Sequence, residues 1–179
     1  MGKSIAENYC RALVALAVEK KKVAAIMQSA AALLPVVKMP EVDLFLNHPS
    51  ITAADKKELA VRFLARDTPQ EFVNFLHLLI DRRRTRLLPE LLDRTIDLAM
   101  KAQGYEVVNL ITARELSAEE EASIRKDLET QWATKLFIKK RCNPNLIGGI
   151  IIKREDQLYD GSILGQLTSL RRKLTERSV

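Results

Sequence analysis

The chain is poor in the residues that build reactive sites. Its 179 residues include two His and two Cys. Neither His48 nor His77 has a Cys or a second His at ligand spacing, so the common zinc patterns are excluded. Cys10 and Cys142 lie far apart and form no disulfide framework; they read as packing residues or inert thiols. Glycine and proline number six each, which excludes collagen-like and linker-like chains. No phosphate loop occurs, because Gly148–Gly149 is followed by Ile150 and not by Lys. No serine carries the surroundings of a hydrolase nucleophile. Long apolar runs are missing too. The longest uncharged stretch, Val23 to Val37, contains Gln28 and Ser29 and is too short to cross a bilayer. The N-terminus lacks the layout of a secretory signal, and Gly2 lacks the Ser/Thr of a myristoylation motif, so a cytosolic setting is expected.

What is present is a chain able to bury a core. Apolar residues make up 47% and charged residues 29%. Lys and Arg number 29 against 23 Asp and Glu, a net of +6. Residues 1–104 carry 16 basic and 12 acidic groups, net +4, and residues 105–179 carry 13 and 11, net +2. The excess is mixed with acids throughout. It allows an acidic partner without demanding nucleic acid.

Residues 1–104 read as six short helices, a helical bundle. Ser4 with Glu7 predicts a first cap, followed by Ile5, Tyr9, Ala12, Leu13 and Leu16 at helical spacing. A second helix is expected from Lys21 to Leu34, ending near Pro35. Pro40 opens a third, which stops before Pro49. Thr52 with Asp55 opens a fourth, carrying Leu59, Val61, Phe63 and Leu64. Thr68–Pro69–Gln70–Glu71 predicts a fifth helix with Thr68 at its N-cap. That helix, Phe72 to Ile80, is apolar on nearly every side, which suits the centre of a bundle or a surface shared with a partner. The sixth spans about Leu87 to Gln103, and Gly104 closes it.

After Gly104 the pattern changes to a small α/β unit. Strands are expected at 105–112, 136–142, 149–154 and 157–159. A helix capped by Ser117 and Glu120 follows the first strand. Glu155–Asp156 makes the last hairpin turn. Asp160–Gly161–Ser162 opens a final helix whose Ile163, Leu167, Leu170 and Leu174 form a narrow seam of the kind used in helix pairing. Part of that seam is expected to cover Ile150 and Ile152 of the sheet. The fold class expected is mainly α: a six-helix N-terminal bundle (1–104) and a small α/β C-terminal domain (105–179).

Little of this is catalytic. Glu119–Glu120–Glu121 suits a solvated helix start. The run Arg82–Arg83–Arg84–Thr85–Arg86 is the sharpest charge feature. It suits the C-terminal end of the fifth helix, and the competing reading is a nucleic-acid patch, without the interleaved aromatics that single strands require.

The stretch NPNLIGGIIIKREDQLYDGSILGQLTSLRRKL resembles the signature of the delta subunit of the F-type ATP synthase, whose mitochondrial counterpart is the oligomycin sensitivity conferral protein. There an Asp/Asn–Pro–x–Leu–Ile–Gly–Gly turn leads into a strand, then Asp–Gly–Ser and an amphipathic helix. FVNFLHLLIDRRRTRLLPELL resembles the family's fifth and sixth helices and AENYCRALVALA its first. Cys10, Asn143 and Glu155 depart from the family's usual Ala, Asp and Gly.

The resemblance implies a non-catalytic stator subunit without cofactor or metal, peripheral on the cytoplasmic face of the bacterial inner membrane. It implies that the bundle receives the N-terminal helix of an alpha subunit between the first and fifth helices. The expected residues are Tyr9, Leu13, Leu16, Phe72, Phe75, Leu76 and Leu79. It implies that the C-terminal part holds the end of the b-subunit stalk, through Gly148, Gly149, Ile163, Leu167, Leu170 and Leu174. Proton-driven rotation would thereby be coupled to ATP synthesis.

Overall fold

The computed structural model describes residues 2–176, with side chains from Glu7 to Leu170. The fold is mainly helical, with one small four-stranded sheet toward the C-terminus. The chain divides into two compact units, Met1–Gln103 and Gly104–Val179.

The first unit holds α1 (Gly2–Glu19), α2 (Val23–Val37), α3 (Pro40–Asn47), α4 (Ala53–Arg62), α5 (Gln70–Asp81) and α6 (Leu88–Ala102). α1, α2, α5 and α6 each bury a stripe at helical spacing, whereas α3 and α4 bury only Leu46 and Ala60. The core includes Cys10, Leu13, Val14 and Ala17 of α1, Ile26, Ala30, Leu33 and Val37 of α2, Phe72, Phe75, Leu76, Leu79 and Ile80 of α5, and Leu91, Leu92, Thr95, Ile96 and Ala99 of α6. The polar members are satisfied locally. Thr95 donates its hydroxyl to the carbonyl of Leu91 at 2.8 Å, and the Cys10 thiol lies 3.3 Å from the same oxygen. Burial raises the Cys10 thiol above its ordinary pKa, so it behaves as a small apolar residue.

Several helix ends differ from the sequence expectation. α1 begins at Gly2, so Ser4 lies inside it, and Glu7 turns to Arg11 and Arg94 at 2.9 and 2.8 Å. α2 continues through Pro35 to Val37. Pro35 removes one i→i−4 bond there, to the carbonyl of Ala31, and the helix ends two residues later. α4 stops at Arg62, leaving Phe63 and Leu64 beyond it. α5 starts at Gln70, with Pro69 at the N-cap and no side-chain cap. The Thr68 hydroxyl is buried without a partner, and Glu71 is drawn away from the cap by lysines of the first helix hairpin. Thr52 does cap α4, accepting the Asp55 N–H at 3.2 Å.

The second unit contains β1 (Tyr105–Thr112), α7 (Ala118–Trp132), β2 (Lys135–Cys142), β3 (Ile150–Arg154), β4 (Gln157–Asp160) and α8 (Ile163–Glu176). The sheet order is β2-β1-β3-β4. β1 and β2 are parallel, Val108 facing Ile138, and α7 is the crossover a parallel pair requires. β3 pairs antiparallel with β1 and with β4. The expected capping box of Ser117 and Glu120 forms at the start of α7. Glu155 takes the left-handed conformation, φ +48°, that the β3–β4 turn needs.

The face of the sheet that carries Ile150 and Ile152 is covered by α7, not by the described side chains of α8. Leu128, Ile124 and Trp132 of α7 pack with Val108, Leu110, Leu136, Ile138, Ile150 and Ile152. The pleat explains this: Ile152 pairs with Leu110 and so shares the α7 face. Arg154 closes that face, gripping Glu106 through two bonds of 2.6 and 2.9 Å and stacking 4.6 Å over the Trp132 ring.

Candidate functional site

Two exposed apolar strips stand out, one in each unit. The first lies along α1 and α5. These helices run antiparallel, as the links at their two ends require. At one end Lys20 and Lys22 bind Glu71 at 2.7 and 3.3 Å. At the other the Arg84 guanidinium sits 5.3 Å over the Tyr9 ring. Glu71 is held at a pKa of about 2, chiefly by the hydrogen bond from Lys20 and then by backbone hydrogen bonding.

The structure sorts the seven residues expected in this groove. Leu13, Phe72, Phe75, Leu76 and Leu79 are buried in the core. Tyr9 is half-buried, and Leu16 is 36% exposed. The core stripe of α1 runs through Cys10, Leu13, Val14 and Ala17; Tyr9, Ala12 and Leu16 lie on its flank. On α5 the exposed apolar residue is Leu78, at 38%. Sequence reading missed it because Leu76, Leu78, Leu79 and Ile80 follow one another almost without a polar break. The signal was its spacing: Glu71, Phe75, Leu78 and Arg82 share the helix edge that carries the ion pair to the first helix hairpin. The accessible strip therefore consists of Tyr9, Ala12 and Leu16 with Leu78.

The second strip is the seam of α8. Ile163, Leu167 and Leu170 are exposed by 43%, 53% and 60%. Leu174 lies outside the described side chains, as do Arg171, Arg172 and Lys173. The opposite side of the helix, with Leu164, Gly165 and Thr168, lines a cleft of about 380 Å³ with Leu146 and Ile151.

The start of α8 is fixed by short-range bonds. The Ser162 hydroxyl donates to Asp160 at 2.6 Å and accepts the Gly165 N–H at 3.0 Å; the Ser162 N–H also binds Asp160, at 2.9 Å. These bonds lower the Asp160 pKa, the side-chain bond most. Gly148 and Gly149 serve this same junction. Gly148 accepts the Ile163 N–H at 3.0 Å. Gly149 has φ +77°, and a Cβ there would stand 2.3 Å from the Gly161 carbonyl oxygen.

The arginine run does not form one patch. Arg84 is taken by Tyr9, Arg83 and Arg86 line a cleft beside α4, and Arg82 lies outside both, exposed. Among the described residues no three His, Cys, Asp or Glu side chains gather into a metal-holding group. Cys142 is free and exposed. No single described helix is long and apolar enough to cross a membrane. α2 with α3 passes on length and composition only as a pair bent by 94°, and α2 turns its buried stripe to the core.

Comparison with known proteins agrees over most of the chain. Residues 5–174 match the family described as ATP synthase delta (OSCP) subunit. The ATP synthase subunit delta of Heliobacterium modesticaldum is 30% identical over 172 residues, 96% of this chain and 93% of that protein. The subunit of the same name from Carboxydothermus hydrogenoformans is 33% identical, over 96% of this chain and 97% of its own. That of Acinetobacter baylyi is 36% identical over 73% of each. The fold is similar to a chain in the cryo-EM structure of the Toxoplasma gondii mitochondrial ATP synthase hexamer, with a TM-score of 0.74, 20% identity, and coverage of 95% of this chain and 97% of that one. Family match, relatives and fold lead to one conclusion: this chain belongs to the ATP synthase delta (OSCP) subunit family.

Proposed function

We propose that the chain is the non-catalytic stator subunit that ties the catalytic head of an F-type ATP synthase to its b-subunit stalk. The first unit takes the N-terminal helix of an alpha subunit on the α1–α5 strip. The second takes the C-terminal end of b on the α8 seam. The complex works at the cytoplasmic face of the bacterial inner membrane, and the chain performs no reaction of its own. It resists rotation of the head, so that proton-driven torque is spent on ATP synthesis.

The observation that carries this reading is the pair of exposed apolar strips on separate units of a family member. An amphipathic helix laid on each would cover side chains that otherwise face water. The Glu71–Lys20–Lys22 cluster and the Arg84–Tyr9 stack mark the two ends of the first strip. The dispersal of the arginine run counts against a nucleic-acid surface, which needs its cations along one path.

The test is titration of the full chain with two synthetic peptides, the alpha N-terminal helix and the b C-terminal segment. Both should bind at once, without competition, and with weak salt dependence. Competition between them, or binding of neither, would overturn the reading. Single-stranded nucleic acid that binds more tightly and falls steeply with salt would favour the alternative.

A further inference from the structure

A third surface answers to a different chemistry. A cleft of about 500 Å³ opens between the start of α4 and the link from α5 to α6. Its lining contains three cations, Lys56, Arg83 and Arg86, and no carboxylate. Ile51 and Ile80 give it apolar walls. The nearest acids along the flanking elements are already engaged: Asp55 with the Thr52 hydroxyl at 2.8 Å, and Asp81 with Lys57 at 2.7 Å. Lys56 reaches only the backbone carbonyl of His48, and neither Arg83 nor Arg86 has a carboxylate partner among the described residues.

The backbone fixes where the Arg83 side chain leaves the helix end, as it does for Lys21 after α1 and Ala133 after α7. Arg83 stands at φ +52°, with Arg84 N–H returning to the Leu79 carbonyl at 2.8 Å. This is the left-handed position after a helix end, where glycine is the low-energy residue. From that position the Arg83 side chain lines the cleft, and the left-handed backbone costs stability that glycine would not.

We propose that this cleft docks an extended acidic peptide segment of a neighbouring polypeptide, its carboxylates meeting Arg83, Arg86 and Lys56 and its aliphatic side chains lying on Ile51 and Ile80. The size of the cleft and its apolar walls favour a peptide over a small phosphate anion: the volume is several times that of inorganic phosphate, and a phosphate has no use for isoleucine. Arg82, although adjacent in sequence, lies outside the lining. The proposal is independent of the two helix-docking strips.

The experiment uses the full chain and a fluorescein-labelled eight-residue peptide alternating glutamate and leucine, read by anisotropy at low salt. Arg86→Gln should weaken binding about tenfold. Arg83→Gly should weaken it about as much while raising the melting temperature by about 2–4 °C, because glycine relieves the left-handed backbone. That variant separates loss of the ligand from loss of the fold. Arg82→Gln should leave affinity within about twofold. Equal weakening by Arg82→Gln would reduce the effect to diffuse charge and overturn the site. Unchanged affinity in Arg83→Gly and Arg86→Gln would overturn it directly. Pyrophosphate displacing the peptide at lower concentration than free tetraglutamate would reassign the cleft to a small anion. Tighter binding of a single-stranded oligonucleotide through the same arginines would reassign it to nucleic acid.

Discussion

Lys20, just past the end of α1, donates to Glu71 in the first turn of α5 across 2.7 Å and 51 residues of sequence. Lys22 reaches the same carboxylate, which is nearly buried. This cluster fixes one end of the strip between the two helices and has a pH signature. The Glu71 pKa falls from 4.5 to about 2, with the Lys20 hydrogen bond as the largest cause. A depressed folded-state pKa contributes stability above the unfolded value, and that stability is lost as pH falls through the folded value. Glu71→Gln should therefore melt below the parent at pH 7. The gap should narrow through the window from 4.5 toward 2. Melting curves across that range check it; a gap constant with pH would show that the carboxylate charge is not what ties α1 to α5.

The sorting of groove residues gives a sharper test. Leu16→Asp and Leu78→Asp place charge on positions that still reach water and should lower the melt only modestly, leaving the first unit folded. Each should abolish binding of the alpha N-terminal peptide, since a desolvated carboxylate in an apolar contact costs more than one affinity decade. Leu79→Asp should instead unfold the first unit, because it buries a charge at a site with no exposed surface. Circular dichroism alongside peptide titration separates the two outcomes. Peptide binding that survives Leu16→Asp and Leu78→Asp would remove the strip as the docking surface.

The contrast between Leu78 and Leu79 shows where sequence reading stops. That α5 is a helix was legible from its apolar run, and all four strands and the Ser117 box were legible from pattern and capping chemistry. Which side of an all-apolar helix faces out was not. Periodicity assigns a face by contrast, and Phe72 to Ile80 offers almost none. The lid of the sheet was misassigned for a related reason. The α8 seam is the more regular pattern, but regularity says that a helix has a partner, not which one. The register that puts Ile152 beside Leu110 decides it, and register is a tertiary fact. Thr68 failed as a cap because α5 begins one residue later, with Pro69 at the N-cap, and the Glu71 carboxylate that would complete the box is held by two lysines distant in sequence.

The α8 seam should act independently of the bundle. Leu167 and Leu170 are more than half exposed, so Leu167→Ala with Leu170→Ala should barely move the melting temperature. Covering one leucine with a partner is worth about 1.5–3 kcal/mol. Removing two should weaken binding of the b C-terminal peptide by more than about tenfold. Affinity for the alpha peptide should stay the same, because the two strips belong to separate compact units. Parallel loss of both affinities would contradict this division of labour.

The junction below α8 makes a last, purely structural prediction. Gly104 and Gly149 both have positive φ, +82° and +77°. A Cβ at Gly104 meets nothing within 4 Å, whereas at Gly149 it would stand 2.3 Å from the Gly161 oxygen and 3.0 Å from the Ser162 Cα. Gly104→Ala should therefore cost only the left-handed backbone preference, about 1–2 kcal/mol. Gly149→Ala bears that cost and a backbone collision, together about 2–5 kcal/mol. The collision falls on the segment whose Gly161 N–H binds the Ile150 carbonyl at 2.9 Å and whose Ser162 caps α8. Moving it apart loosens the base of the seam, so Gly149→Ala should also weaken b-peptide binding, an effect Gly104→Ala lacks. Denaturant titration of both variants, followed by b-peptide titration, reads the two quantities. Equal stability loss in the two variants would mean that the Gly149–Gly161 approach yields at no cost and is not what positions the helix.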